Sequence, residues 1–184
     1  MMKTLFTAST LLASALALSA CQSTPTKQSV PDEAQPVLKS QIMTTDGSNK
    51  HIGDMFLRPV AGGVQVFGKL QGLTPGATVA MHIHETGSCA DMGKAAGGHF
   101  NPYHKLHGNP MGAENHAGDL PNLTADANGV ASMNFVKKDI SVAMQGDNSV
   151  YRRAFIVHGG VDDYVSQPAG NAGARIACGI IEKY

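Results

Sequence analysis

Eight histidines, His51, His82, His84, His99, His104, His107, His116 and His158, form the chain's most chemically loaded pattern, and five fall between residues 82 and 107. His82 and His84 flank a single Ile83 at the end of an apolar stretch. In an extended chain both imidazoles leave from one face while Ile83 turns to the other, so the two rings can chelate one metal ion. Further on stand His99, His107 eight residues later, His116 nine further and Asp119 three after that. Three imidazoles and a carboxylate make an N3O donor set that suits tetrahedral Zn2+. His158 closes a second apolar run, Phe155-Ile156-Val157. His51 and His104 stand outside this pattern and read as surface or hydrogen-bonded residues. Asp119 on its own would read as a turn residue, and its company gives it a ligand's role.

Elements must position these side chains. Short or period-2 apolar segments recur at Val37–Thr44, Gly53–Arg58, Gly63–Leu70, Thr78–His84, Gly129–Phe135, Arg153–Val157 and Arg175–Ile181. Turn chemistry separates them, as at Asp46-Gly47, Ala61-Gly62-Gly63, Thr74-Pro75-Gly76 and Asp126-Ala127-Asn128-Gly129. With no helical periodicity of useful length, this predicts an all-β sandwich or barrel. Two stretches break the pattern: Thr86 to Asn122, almost strandless, and Gly159 to Ala174. Within residues 97–119 there are five Gly, two Pro and three Asn. Conformational entropy leaves such a segment mobile without internal staples, and four of the eight histidines lie there.

The 184 residues suffice for one domain and a leader. Lys3 precedes the leucine-rich run Leu5 to Leu18, which ends in Leu18-Ser19-Ala20-Cys21. About 14 apolar and small residues are too few to span the hydrocarbon core of a membrane as a helix, and the flanks predict a secretory signal over residues 1–20. Leu-Ser-Ala-Cys is similar to the lipobox of bacterial lipoproteins, which predicts lipidation of Cys21; cleavage near Ala17 or Ala20 is the alternative. Residues 21–36, polar and Pro-bearing, read as a flexible tether, which leaves 37–184 as the domain. Lys+Arg number 14 and Asp+Glu 14, with only 15% charged residues. That balance argues against nucleic acid or a membrane surface as a partner held by bulk charge. Three cysteines are an odd number for an exported chain. Lipidation of Cys21 removes one and leaves an even pair.

Met81-His82-Ile83-His84-Glu85, Gly97-Gly98-His99-Phe100-Asn101-Pro102, His107-Gly108, His116-Ala117-Gly118-Asp119-Leu120 and Gly170-Asn171-Ala172-Gly173-Ala174-Arg175-Ile176-Ala177-Cys178-Gly179 agree in order, spacing and type with one family. Over roughly Leu73 to Ile181 the chain resembles the copper/zinc superoxide dismutases, their bacterial exported branch in particular. The resemblance implies a Greek-key β-sandwich or flattened barrel of about eight antiparallel strands with two long functional loops. It implies copper ligands His82, His84, His99 and His158, and zinc ligands His99, His107, His116 and Asp119. His99, as an imidazolate, would bridge the two ions. Asp162 matches a carboxylate tying a copper-bound histidine to a zinc-bound one, with Asp163 as its competing neighbour. Cys89 and Cys178 match a disulfide, permissible after export, and Arg175 matches an arginine beside the copper that draws in a small anion.

The implied activity is dismutation of superoxide to dioxygen and hydrogen peroxide, with copper and zinc as cofactors. Arg175 and His99 would be its catalytic residues, and the site would be a bacterial periplasm with possible membrane attachment through Cys21. A non-enzymatic periplasmic copper/zinc-binding protein on the same fold is the alternative. Monomer and homodimer are both compatible with the resemblance. One departure concerns charge. Residues 159–174 contain no Lys or Arg, where many family members place steering lysines, and Lys94 is the candidate cation in their stead.

Overall fold

A computed structural model of the chain describes residues 35–184. The signal over residues 1–20, Cys21 and nearly all of the tether lie outside the described residues. Ten strands follow one another: β1 (Leu38–Thr44), β2 (His51–Val60), β3 (Gly63–Leu70), β4 (Thr78–Val79), β5 (Met81–His84), β6 (Leu123–Thr124), β7 (Ala131–Lys137), β8 (Ala154–His158), β9 (Arg175–Ile180) and β10 (Glu182–Lys183). A single 3₁₀ turn, Lys94–Ala96, is the one helical element among the described residues.

The main sheet runs β5-β8-β9-β1-β2-β3-β7, all neighbours antiparallel, with β10 also pairing with β1. β4 and β6 form a separate two-stranded sheet. The first three strands are a meander, whereas β7 to β8 crosses from one end of the order to the strand next to β5 at the other. Alternation builds the core. Leu38 and Ile42 of β1, Val64 and Val66 of β3, and Ala131 and Met133 of β7 point inward, with more exposed residues between them. Few aromatics take part, so the buried cluster is largely Leu, Ile, Val and Met around Phe100 and Phe155. The all-β fold with two long irregular segments is present as the sequence predicts.

Boundaries differ in places that have a physical reason. The expected strand Thr78–His84 breaks at Ala80, whose N–H donates to Gly160 O and whose carbonyl accepts from His158 N, both at 2.8 Å. β2 runs past Arg58 through Pro59, which pairs opposite Val64. β9 and β10 follow one edge of β1 and part at Ile181, which turns its backbone to Arg152 and Arg153 instead. β6 and β10 have two residues each and carry no periodic signal.

Candidate metal centre

Alternation along β5 and β8 sets the site apart from the core. Met81 and Ile83, with Phe155 and Val157, belong to the main hydrophobic cluster. The other parity faces the opposite side of the sheet. His82 lies opposite Ile156 and His84 opposite Ala154, and Ala154 and Ile156 pack with Ala96, Cys178 and Cys89 in a small second cluster. His158 has the same parity as Ala154 and Ile156, and the register shifts between Val157 and His158. β5 ends the main sheet order, so its outer edge needs partners. The segment after it supplies them: Ile83 N donates to Gly118 O, Phe100 N to Ile83 O and Glu85 N to Gly98 O. These bonds bring His99 beside His84 and Asp119 beside His82.

Two sets of four buried residues result, His82, His84, His99 and His158, and His99, His107, His116 and Asp119. Within each set one ligand atom per residue lies within 4.8 Å of the others. His99 belongs to both, and its ring centroid is 4.0 Å from that of His82.

Hydrogen bonds fix which nitrogens remain free. His84 Nδ1 lies 3.0 Å from Gly97 O and His158 Nδ1 3.2 Å from Gly173 O. A carbonyl only accepts, so each Nδ1 carries the hydrogen and each neutral ring presents a bare Nε2. Those two Nε2 atoms face one another at 3.4 Å. Protonation does not relieve the clash, because burial pushes His84 down to about 2 and His158 down to about 4. His82 Nε2 donates to Asp162 Oδ2 at 2.8 Å, and its Nδ1 is buried without a partner. His99 places Nδ1 2.8 Å from Asp119 Oδ1 and has its Nε2 buried without a partner. Unpaired buried nitrogens are costly, and one cation shared among the four rings satisfies all of them. An all-imidazole set of this kind suits copper.

The second set gathers around one oxygen. His99, His107 and His116 bring Nδ1 to 2.8, 3.0 and 3.5 Å of Asp119 Oδ1. Gly108 N and His116 N donate to Asp119 Oδ2, leaving Oδ1 to the cluster. Burial alone would raise the Asp119 carboxyl, but the neighbouring imidazoles of His107, His116 and His99 hold it well below the usual range. His107 Nε2 donates to Asp162 Oδ1 at 2.9 Å. In a neutral ring, His107 Nδ1 is therefore a lone pair facing a carboxylate oxygen. With no dication there, burial of the ring is outweighed by Asp119 and Asp162, which raise His107 to about 9. A metal ion relieves the same conflict without a proton, so the residues fit Zn2+ in an N3O set.

The remaining predicted residues fall around these sets. Asp162, 2% exposed, bonds His82 and His107 at once, while Asp163 is exposed and accepts from Val165 N, Ser166 N and Ser166 Oγ. Arg175 donates from Nη1 to Gly93 O at 2.6 Å and from Nη2 to Gly97 O at 2.7 Å. Its charge acts on His84 and His158. Cys89 and Cys178 form a disulfide with Cα atoms 5.7 Å apart. Lys94 begins the 3₁₀ turn and is exposed. His51 is exposed against Asp54, and His104 is exposed at a positive φ; neither joins a set.

Sequence reasoning missed several supporting side chains. Asn122 exchanges two bonds with the backbone of Asp162, and Gln167 two with that of His107. Lys137 turns inward from β7, and its ammonium bonds Asn115 Oδ1 and His116 O. Gly170 sits behind the Asp162–His107 bond at φ +64, where a Cβ would overlap Asp162 Oδ1 and approach His107 Nε2 to 2.7 Å. Nothing in local sequence marks Asn122, Gln167 or Lys137, since each is defined by a partner far along the chain; Gly170 stands in a family-like motif, but what it packs against shows only in the fold.

Comparison with known proteins gives the same answer as the geometry. Residues 52–181 match the copper/zinc superoxide dismutase (SODC) family. Superoxide dismutase (Cu-Zn) 2 of Aquifex aeolicus strain VF5 is 41% identical over 77% of this chain and 84% of its own length. Superoxide dismutase (Cu-Zn) 1 of the same organism is 39% identical over 79% and 88%. The crystal structure of a SOD-like protein from Bacillus subtilis, 38% identical, superposes with a TM-score of 0.69 over 77% of this chain and 96% of that one. With a matched span that takes in β5, both irregular segments and the disulfide, the chain belongs to the copper/zinc superoxide dismutase family.

Proposed function

We propose that the chain is a superoxide dismutase in which His82, His84, His99 and His158 hold copper and His99, His107, His116 and Asp119 hold zinc. The observation that carries this reading is the pair of buried four-residue sets joined at His99, with donor nitrogens left unpaired on the copper side. Copper bound there supplies a one-electron couple that takes an electron from one superoxide, released as dioxygen, and returns it to a second, released with two protons as hydrogen peroxide. Zinc has no redox chemistry and suits a structural role. Asp162 holds the tautomers of His82 and His107, so that both rings present Nδ1 to the metal positions. Arg175, with Nη1 and Nη2 fixed on backbone carbonyls, presents a guanidinium that attracts and orients a small anion. His99 Nε2 is the atom at which the chain can hold a proton for the departing peroxide.

The test is metal loading followed by a superoxide consumption assay. Turnover that requires copper supports the enzyme. A fully loaded but inert protein overturns it in favour of a non-enzymatic copper/zinc-binding protein.

Export completes the proposal. The basic start, the Leu5 to Leu18 run and Leu-Ser-Ala-Cys support a signal over 1–20. Cys21 would be the lipidated N-terminus, 21–36 the tether and 37–184 the catalytic domain in the periplasm. The Cys89–Cys178 disulfide agrees with an oxidising compartment. Mass spectrometry of the mature protein decides between a diacylglyceryl-modified Cys21 and a free end after Ala17 or Ala20.

A further inference from the structure

The zinc set depends on a stretch of chain that cannot hold its own shape. Between the 3₁₀ turn and β6 there is no strand among the described residues, and the span is rich in Gly, Pro and Asn. His107 lies in the middle of that span and is 3% exposed. Its ring is held by Asp119 and Asp162. Its backbone has no partner in regular structure. Both of its backbone groups go instead to one side chain 60 residues away: His107 N donates to Gln167 Oε1 at 3.0 Å, and Gln167 Nε2 donates to His107 O at 2.9 Å. A primary amide used in this way stands in for a strand neighbour, supplying one acceptor and one donor to a single residue. Gln167 Nε2 also reaches Val165 O at 3.3 Å, which ties the clamp to its own segment.

We propose that Gln167 is a positioning residue for His107. Its amide clamps the backbone of a zinc ligand and so couples residues 159–174 to the loop that carries the zinc set. This rests on the zinc assignment made above. Asp162 fixes the ring of His107 from the same segment, and Gln167 fixes the chain beneath that ring, so together they leave Nδ1 one direction in which to point. No other natural side chain provides both bonds: Asn is shorter by a methylene, and Glu supplies acceptors without the donor. Gln167 is itself exposed. Its replacement therefore opens no core cavity, and water can reach the freed backbone groups of His107.

The experiment uses the full-length protein with copper in place. Zinc affinity is measured by competition with a chromogenic chelator, and Co2+ substituted for zinc reports ligand geometry through its visible absorption. Gln167→Ala and Gln167→Glu are compared with wild type and with Val161→Ala, an exposed residue of the same segment. We expect both Gln167 variants to bind zinc about 10-fold or more weakly, the range found for partners of metal ligands, with an altered cobalt spectrum. Val161→Ala should match wild type. Wild-type affinity and an unchanged spectrum in both Gln167 variants would overturn the proposal, even if their melting temperatures fell, because the role would then be structural only. A wild-type protein that binds neither zinc nor cobalt overturns the zinc assignment and this inference with it.

Discussion

Arg175 donates to Gly93 O, Lys94 O and Gly97 O, so its guanidinium is anchored by a turn on the far side of the disulfide. None of those acceptors is charged. The positive charge is thus left uncompensated beside His84 and His158, as an anion-attracting group requires. Arg175→Ala should lower the rate constant for superoxide and flatten its dependence on ionic strength, while both metals stay bound; stopped-flow rates at several salt concentrations check this, and an unaltered rate removes Arg175 from the mechanism. His158 belongs to the copper set alone. Its replacement by Ala should abolish turnover and leave zinc content, read by elemental analysis, at the wild-type level. Most of the site is legible residue by residue, since histidines at fixed spacings in an otherwise polar loop have few other uses. Asp162 and Asp163 are harder to separate. Adjacent acids in a loop look alike in sequence, and only the fold shows that one turns in to His82 and His107 while the other closes a turn on Ser166.

Strands were legible wherever one face meets the core, because burial imposes period-2 alternation, as in β1, β3 and β7. β5 is legible for a different reason: with all four residues buried it has no solvent-exposed face, and its histidines mark the side turned from the core. The pairs β4–β6 and β10–β1 were not legible, since two residues cannot show a period. The irregular segments take their shape from links that are remote in sequence, and the disulfide is the strongest of these. It joins residues 89 apart and holds the stretch leading to Gly93 and Gly97 against β9. By loop entropy, removing it from the native protein costs roughly 4 to 5 kcal/mol. The double substitution Cys89→Ser with Cys178→Ser should therefore lower the unfolding midpoint in denaturant. It should also slow turnover, because the carbonyls that anchor Arg175 are freed. Unchanged turnover in a folded, metal-loaded double variant would separate the disulfide from the positioning of Arg175.

At the scale of the whole molecule, the two sets of ligands give the metal-depleted protein a stability optimum with opposing limbs. His107, at about 9 against an ordinary 6.5, is held charged by Asp119 and Asp162 despite burial. Its contribution is fully present below about pH 6.5 and is lost as pH rises through 9. His84, His99 and His158 behave oppositely: burial lowers them to about 2, 4 and 4 from 6.5. Below about pH 6.5 the unfolded chain takes up protons that the fold refuses, so stability falls as pH drops toward 4. Asp119 and Asp162 are both depressed, and their stabilisation is lost only below the ordinary carboxylate range. The melting temperature of the metal-depleted protein should thus peak near pH 6.5 and fall on either side. Copper and zinc reshape this curve. Bound metal replaces the proton on His107 and removes the alkaline limb, while acid competes with metal for every imidazole and steepens the other. Thermal melts from pH 4.5 to 9.5, with and without metals, test both statements. A depleted protein whose melting temperature is flat between pH 5 and 9 would mean that these imidazoles are not held in the buried, mutually constrained arrangement on which the metal centre depends.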